Sequence, residues 1–354
     1  MQKSSRGWNR TVSSERECEE GNRNMKKTRW IGLTMAAAIT AAAAGTVYAG
    51  TNGKQATGPA LEAEKRNVPA GDRTGSAVES TGSGRQAGSI VTGQNTENRK
   101  GGYDYQTAVK PDDQAWADLQ AAPAGGAKGQ WGNYQPTPNA VPKGNDDEAK
   151  MHTYGAYSRS SDTESKVLYL TFDEGYENGY TPAILDTLAK HGIQTTFFCT
   201  GEFMQTQPEL VRRMVNEGHI VGNHTWSHPH MNTITTHEAF WNQLKKNSDL
   251  FKTITGLEMP RYFRAPEGGY SDAIYAQAQA MGYKTIYWTV AYGDYDTKKQ
   301  PDHASAMTTL NRRIHPGAVI LLHAVSKTNT EILDELLTGW ENQGYTFGTL
   351  DRLQ

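Results

Sequence analysis

Residues 167–200 read VLYLTFDEGYENGYTPAILDTLAKHGIQTTFFCT. An apolar run ends on two carboxylates, a loop rich in Gly and Tyr follows, and Thr181-Pro182 opens an amphipathic stretch that stops at Gly192. Pro inside the first turn and Gly just past the last one mark the two ends of a helix. A second apolar run, Thr195 to Cys199, comes next. Strand, crossover helix and strand in this order put the two strands parallel in one sheet.

The alternation continues to the end of the chain. Strands are expected at Val167 to Phe172, Thr195 to Cys199, His219 to Gly222, Arg261 to Phe263, Lys284 to Val290, Ala318 to Leu322 and Tyr345 to Leu350. Helices are expected at Thr181 to His191, Pro208 to Glu217, Thr235 to Thr255, Ser271 to Met281, Pro301 to Ile314 and Asn329 to Gln343, with Gly218, Gly256, Gly282 and Gly344 as further stops. The pattern predicts an α/β fold, a distorted (β/α) barrel of about seven parallel strands covered by helices.

Upstream the composition changes. The 354 residues are 36% hydrophobic and include 36 glycines and 14 prolines, and the mean hydropathy is -0.70. A folded domain diluted by polar chain accounts for those averages. From Met25, the bases Lys26, Lys27 and Arg29 precede an Ala-rich apolar stretch ending in Val47-Tyr48-Ala49, which has the three parts of a secretory signal; retention as a membrane anchor is the alternative. Residues 1–24 are polar and read as an upstream extension, residues 50–112 as a disordered spacer, and residues 113–164 as a poorly defined segment packing on the domain at 165–354. Export to the cell surface or wall follows, with membrane contact only through an uncleaved leader.

The net charge of -2 supplies no basic excess for nucleic acid. Cys18 and Cys199 are the only cysteines, so a four-cysteine zinc site is excluded, and Cys199 in its apolar run reads as a small core residue. His191, His230, His237 and His303 lie in polar surroundings and read as solvated.

In such barrels chemistry gathers at the carboxyl ends of the strands. Those ends read Thr171-Phe172-Asp173-Glu174, Asn223-His224, Arg264-Ala265-Pro266, Gly293-Asp294-Tyr295 and Leu322-His323. His224 and His228, four apart, with a carboxylate from Asp173 or Glu174, would make a two-His-one-carboxylate metal site with open positions. Amide hydrolysis also needs a base, an oxyanion donor and an acid for the leaving nitrogen. Asp173 suits the base and His323 the acid, with Arg264 keeping Asp173 ionised and Asp294 orienting His323. Tyr176, Trp226, Tyr270, Trp288 and Tyr292 are candidates for a sugar-stacking surface.

These five segments, together with His224-Thr225-Trp226-Ser227-His228 and Arg264-Ala265-Pro266-Glu267-Gly268, resemble in order the motifs of the polysaccharide deacetylases of the NodB-homology group, carbohydrate esterase family 4. Within it, Gly175 to Pro182, His315 to Ala318, His323 to Ser326 and Gly344 to Phe347 look like the deacetylases that act on N-acetylmuramic acid of peptidoglycan, typically of spore cortex, en route to muramic δ-lactam. The resemblance implies His224, His228 and Glu174 as ligands of a divalent metal, zinc or alternatively cobalt or another divalent ion. It also implies Asp173 as base, His323 as acid, Arg264 and Asp294 as their partners, the Glu267 backbone N–H as oxyanion donor, and Tyr295 with Leu321 lining the acetyl pocket. Two residues depart from the family pattern: Glu174 where a second Asp is usual, and Tyr295 where Trp is usual. The expected protein is a monomeric, exported hydrolase working on peptidoglycan glycan strands. A chitin, N-acetylglucosamine or xylan deacetylase, and an inactive glycan-binding module, are the alternatives.

Overall fold

The computed structural model describes residues 102–134 and 137–353. The leader at 25–49, residues 1–24, Cys18 and most of the spacer lie outside the described residues. Among the described residues twelve strands run in chain order: β1 Gly129–Gln130, β2 Asn133–Tyr134, β3 Lys143–Gly144, β4 Ala156–Tyr157, β5 Val167–Glu174, β6 Thr196–Cys199, β7 Ile220–Asn223, β8 Tyr262–Phe263, β9 Gly269–Tyr270, β10 Lys284–Ile286, β11 Val319–His323 and β12 Thr346–Phe347. The helices are α1 Asp112–Ala121, α2 Glu148–Thr153, α3 Thr181–His191, α4 Gly201–Thr206, α5 Pro208–Asn216, α6 His237–Thr255, α7 Asp272–Ala280, α8 His303–Arg313 and α9 Lys327–Asn342.

Seven parallel strands form one curled sheet in the order β11-β5-β6-β7-β8-β10-β4, and β12 adds to the start of β5. The edges approach each other only through isolated bridges, Arg159 to Ala318 and Val290 to Ile320. A barrel of distorted, incompletely closed form is therefore present. Helix α3 shows why the boundaries were legible: Pro182 sits in its first turn, and Gly192 takes the left-handed conformation at φ 65° that ends it. Strand β10 stops at Ile286, four residues short of expectation, because the chain leaves the ladder and returns only at Val290.

The segment before the barrel is structured from its first described residues. Tyr103 N donates to Gly218 O at 3.2 Å, and the Tyr105 hydroxyl donates to His219 O at 2.6 Å while accepting from Val221 N at 3.1 Å. Farther on, β4 pairs parallel with β10 and covers that sheet edge. Strand β1 pairs with β9 at the opposite, carboxyl-end rim, where Trp131 Nε1 donates to Trp288 O at 2.8 Å. Burial of Leu168, Phe172, Phe197, Val221, Ile320 and Leu336 in the main cluster makes the sheet a rigid frame for that rim. Among the described residues no helix is long and apolar enough to cross a membrane.

Candidate active site

Strand β5 lies between β11 and β6, and its register sets the centre of the site. Asp173 pairs with His323 of β11, and Thr171 pairs with Leu321. Successive side chains of a strand alternate, so Thr171 and Asp173 share one face, with Leu321 and His323 beside them. Arg264, leaving β8, reaches that face: its Nη1 donates to Asp173 Oδ1 at 2.8 Å and to Thr171 Oγ1 at 2.9 Å. Its Nε donates to Ile286 O at 3.1 Å, and its guanidinium lies 4.2 Å from the centre of the Phe198 ring. Arg264 is fully buried, which makes the charge pair strong and its geometry fixed. Burial alone would raise the Asp173 carboxyl, but the charge of Arg264, then those of His224 and His323, outweigh it and hold the group below its usual range.

The His224 ring donates from Nδ1 to Arg264 O at 2.8 Å. A carbonyl can only accept, so a neutral ring keeps its lone pair on Nε2, which lies 3.5 Å from Asp173 Oδ2. Burial pushes His224 down to about 4, despite the nearby Asp173 charge. The His228 ring stands edge-on at 5.0 Å between centroids. The loop between them is bent: Thr225 has φ 69° and His228 φ 50°, both in the left-handed region, and His228 N donates to Thr225 Oγ1 at 3.1 Å. Helix α6 holds this loop from outside. Gln243 Oε1 accepts from Trp226 N and Ser227 N, both at 3.1 Å, and Asn247 Nδ2 donates to Cys199 O at 3.0 Å and to Thr225 O. Gly201 permits the close packing, since a Cβ there would lie 2.6 Å from Trp226 O.

Asp294 is fully buried and faces His323. His323 Nδ1 donates to Asp294 Oδ1, and His323 N to Oδ2, each at 2.8 Å. Burial works against the imidazolium, but the Asp294 charge and hydrogen bond, with Asp173 beyond, outweigh it and raise His323 above its ordinary value of 6.5. Its side chain remains 25% exposed, so the ring is reachable from the rim.

Several expectations are corrected here. Glu174 follows Asp173 by one residue and therefore points to the other face of β5. It is fully buried, its two carboxylate oxygens each lie 3.4 Å from Thr181 Oγ1 at the start of α3, and burial, then the charge of Glu177, push it well above the usual carboxylate range. It is not brought to His224 and His228, so the expected three-ligand metal shell is not assembled. Among the described residues no three His, Cys, Asp or Glu side chains form a group that could hold a metal ion. The residues present do not fit the implied metal through Glu174. Tyr295, expected to line the acetyl pocket, is 67% exposed with its ring edge-on to His323 at 6.0 Å, and Leu321 is buried on the inner face. Glu267 has φ 55° in the tight turn after Arg264, and its side chain pairs with His230 at 2.9 Å and Gln130 at 3.1 Å. His230 is thus a rim partner as well as solvated. Of the aromatic candidates, Tyr176 is 47% exposed, while Tyr292 turns its hydroxyl to Asn329.

Sequence reading missed Gln243, Asn247 and Asn329, all on helices. Gln243 and Asn247 did carry a signal, being two amides four residues apart on the face that meets the loop.

The polysaccharide deacetylase family model matches residues 160–286. The peptidoglycan N-acetylmuramic acid deacetylase PdaA of Bacillus subtilis is 43% identical over 191 residues, 54% of this chain and 72% of that protein. Its solved structure, described as a family 4 carbohydrate esterase, matches with a TM-score of 0.60 at 38% identity, covering 63% of this chain and 95% of that one. A family 4 pseudoenzyme from Bacillus anthracis matches with a TM-score of 0.51 at 31% identity, covering 56% of this chain and 68% of that one. With fold, rim residues and extent of identity in agreement, the chain belongs to the polysaccharide deacetylase family.

Proposed function

We propose that this deacetylase removes the N-acetyl group from N-acetylmuramic acid in peptidoglycan glycan strands, leaving the free amine that muramic δ-lactam requires. The single observation that carries the reaction is the register of β5 and β11. It pairs a carboxylate held ionised by Arg264 with an imidazole whose charged form Asp294 favours. Two residues opposite one another on adjacent parallel strands stand about 5 Å apart, a spacing suited to one amide bond between them.

Asp173 takes a proton from water as its oxygen adds to the acetyl carbonyl carbon. The oxyanion that forms is held by the backbone N–H of Glu267, whose turn faces the same rim. His323 gives its Nε2 proton to the amide nitrogen as the carbon–nitrogen bond breaks, and acetate and the amine depart. His323 then regains a proton from Asp173 or solvent. Deacetylases of this family are generally metal-dependent. Without Glu174, His224 and His228 are the rim residues that would hold a divalent ion, zinc by expectation, which would polarise the acetyl carbonyl. Likeness to the muramic acid deacetylase at 43% identity supports that sugar over chitin or xylan. Export by the leader at 25–49, a spacer from residue 50, and action as a monomer on the wall polymer complete the proposal.

Two observations favour a second reading, that of an inactive glycan-binding module: Glu174 faces away from the imidazoles, and a solved family 4 pseudoenzyme is among the similar structures. Acetate release from peptide-stripped glycan strands separates the two. The deacetylase releases acetate, and mass spectrometry of the digested product finds muramic δ-lactam precursors. Asp173→Asn and His323→Ala each lower kcat by about a hundred- to ten-thousand-fold. Because His323 must carry its proton, the rate falls as pH rises through its raised value, so the basic limb lies above 6.5. No acetate from wild-type protein with added zinc would leave only the binding module.

A further inference from the structure

The acid half of the site extends one residue beyond the reacting groups. The buried Asp294 carboxylate accepts a third hydrogen bond, from Asn329 Nδ2 to Oδ2 at 2.6 Å. The same Nδ2 donates to His323 O at 3.1 Å, and Asn329 Oδ1 accepts from the Tyr292 hydroxyl. A carboxylate and a carbonyl accept only, so the amide orientation is fixed, with nitrogen toward Asp294 and oxygen toward Tyr292. Asn329 is buried in the first turn of α9, where Ser326 Oγ accepts its backbone N–H at 3.1 Å. A buried amide with every group engaged, touching both members of an acid pair, is more than packing.

We propose that Asn329 is a positioning residue for His323: its amide fixes Asp294 in the rotamer that faces the imidazole and draws off part of the carboxylate's charge. This rests on the deacetylase reading. A carboxylate shared among three donors is a weaker partner for each. Asp294 so held keeps His323 oriented and charged without making it too poor an acid to release its proton. The other groups that act on the imidazole are Asp173 from β5 and Arg264 from the end of β8, with the Tyr295 ring at its edge.

Asn329→Leu keeps the shape and removes the amide, and Tyr292→Phe removes only the hydroxyl that aims it. Two measurements are needed on the full chain: kcat and KM for acetate release from peptide-stripped glycan strands across pH, and an NMR titration of the His323 ring in histidine-labelled protein, assigned with His323→Ala. Asn329→Leu is expected to lower kcat about tenfold and leave KM within about twofold. It should move both the basic limb and the NMR midpoint upward by about half a pH unit, because the unshared carboxylate binds the imidazolium more tightly. Tyr292→Phe moves both in the same direction by less, and decides the matter if Asn329→Leu does not fold. An unchanged His323 midpoint in the variants, with unchanged kcat, overturns the proposal even where Tm falls. If wild-type protein releases no acetate, the deacetylase reading fails, while the NMR midpoint still decides the part played by Asn329.

Discussion

The two faces of β5 carry carboxylates one residue apart and treat them in opposite ways. On the inner face, Thr171 and Asp173 meet the Arg264 guanidinium, and Asp173 is held as an anion. On the outer face, Phe172 packs among Ile184, Leu185 and Leu188 of α3, and Glu174 finds only the Thr181 hydroxyl and the repulsion of Glu177. Each carboxylate loses water, but only one gains a cation. Desolvation without a partner favours the neutral acid, and desolvation with a buried guanidinium favours the anion. Chemical type therefore says little about function at this strand end, and the face decides.

The largest expected difference between the faces is catalytic. Asp173→Asn should lower acetate release by about a hundred- to ten-thousand-fold, whereas Glu174→Gln should retain activity within about threefold, since Glu174 faces Thr181 and not the reacting groups, and burial already disfavours its charge. The amount of divalent metal that purified Glu174→Gln takes up from added zinc, measured by mass spectrometry, should equal that of wild type. Loss of zinc together with activity in this variant would place Glu174 among the ligands and break the contrast.

Stability against pH should separate the faces next. Glu174 is raised well above 4.5 in the fold, so the unfolded chain ionises first, and wild-type stability falls as pH rises from 4.5 toward the folded value. Glu174→Gln lacks that loss and should gain on wild type with rising pH. Asp173 has the opposite sign. Its folded value lies below 3.8, so its pairing with Arg264 contributes above 3.8 and is lost as pH falls through the folded value. Urea unfolding of wild type and Glu174→Gln at several values from about pH 5 to about pH 8 checks the first sign; parallel curves would mean that Glu174 is ionised in the fold.

The alternation that separates the faces was legible in VLYLTFDE, because consecutive residues of a strand cannot both face one rim. Resemblance to a motif with two adjacent carboxylates obscured it. Helix α3 matched to the residue because Pro182 and Gly192 fix its ends locally. Strand β4 escaped because two residues, Ala156 and Tyr157, are too few to show a period, and only β10 makes them a strand. Asn329 escaped for a related reason. It lies 35 positions from Asp294 on a helix, where an Asn reads as solvent-facing, and its role exists only once the fold brings the two together.

The smallest expected effect isolates the hydroxyls on the two faces from the charges. Thr171 Oγ1 donates to Ile320 O at 2.6 Å and accepts from Arg264 at 2.9 Å, so both of its roles are used inside the sheet. Thr171→Val keeps the shape but leaves an Arg264 N–H and a strand carbonyl with one partner fewer, which should cost about 1–3 kcal/mol in unfolding free energy. Thr181→Val removes only long contacts of 3.4 Å to a carboxyl whose charge burial disfavours, and should cost less than about 1 kcal/mol. Equal costs at the two positions would show that the outer pair is as tightly bonded as the inner one. The opposite treatment of the two carboxylates would then need a cause other than the presence of Arg264.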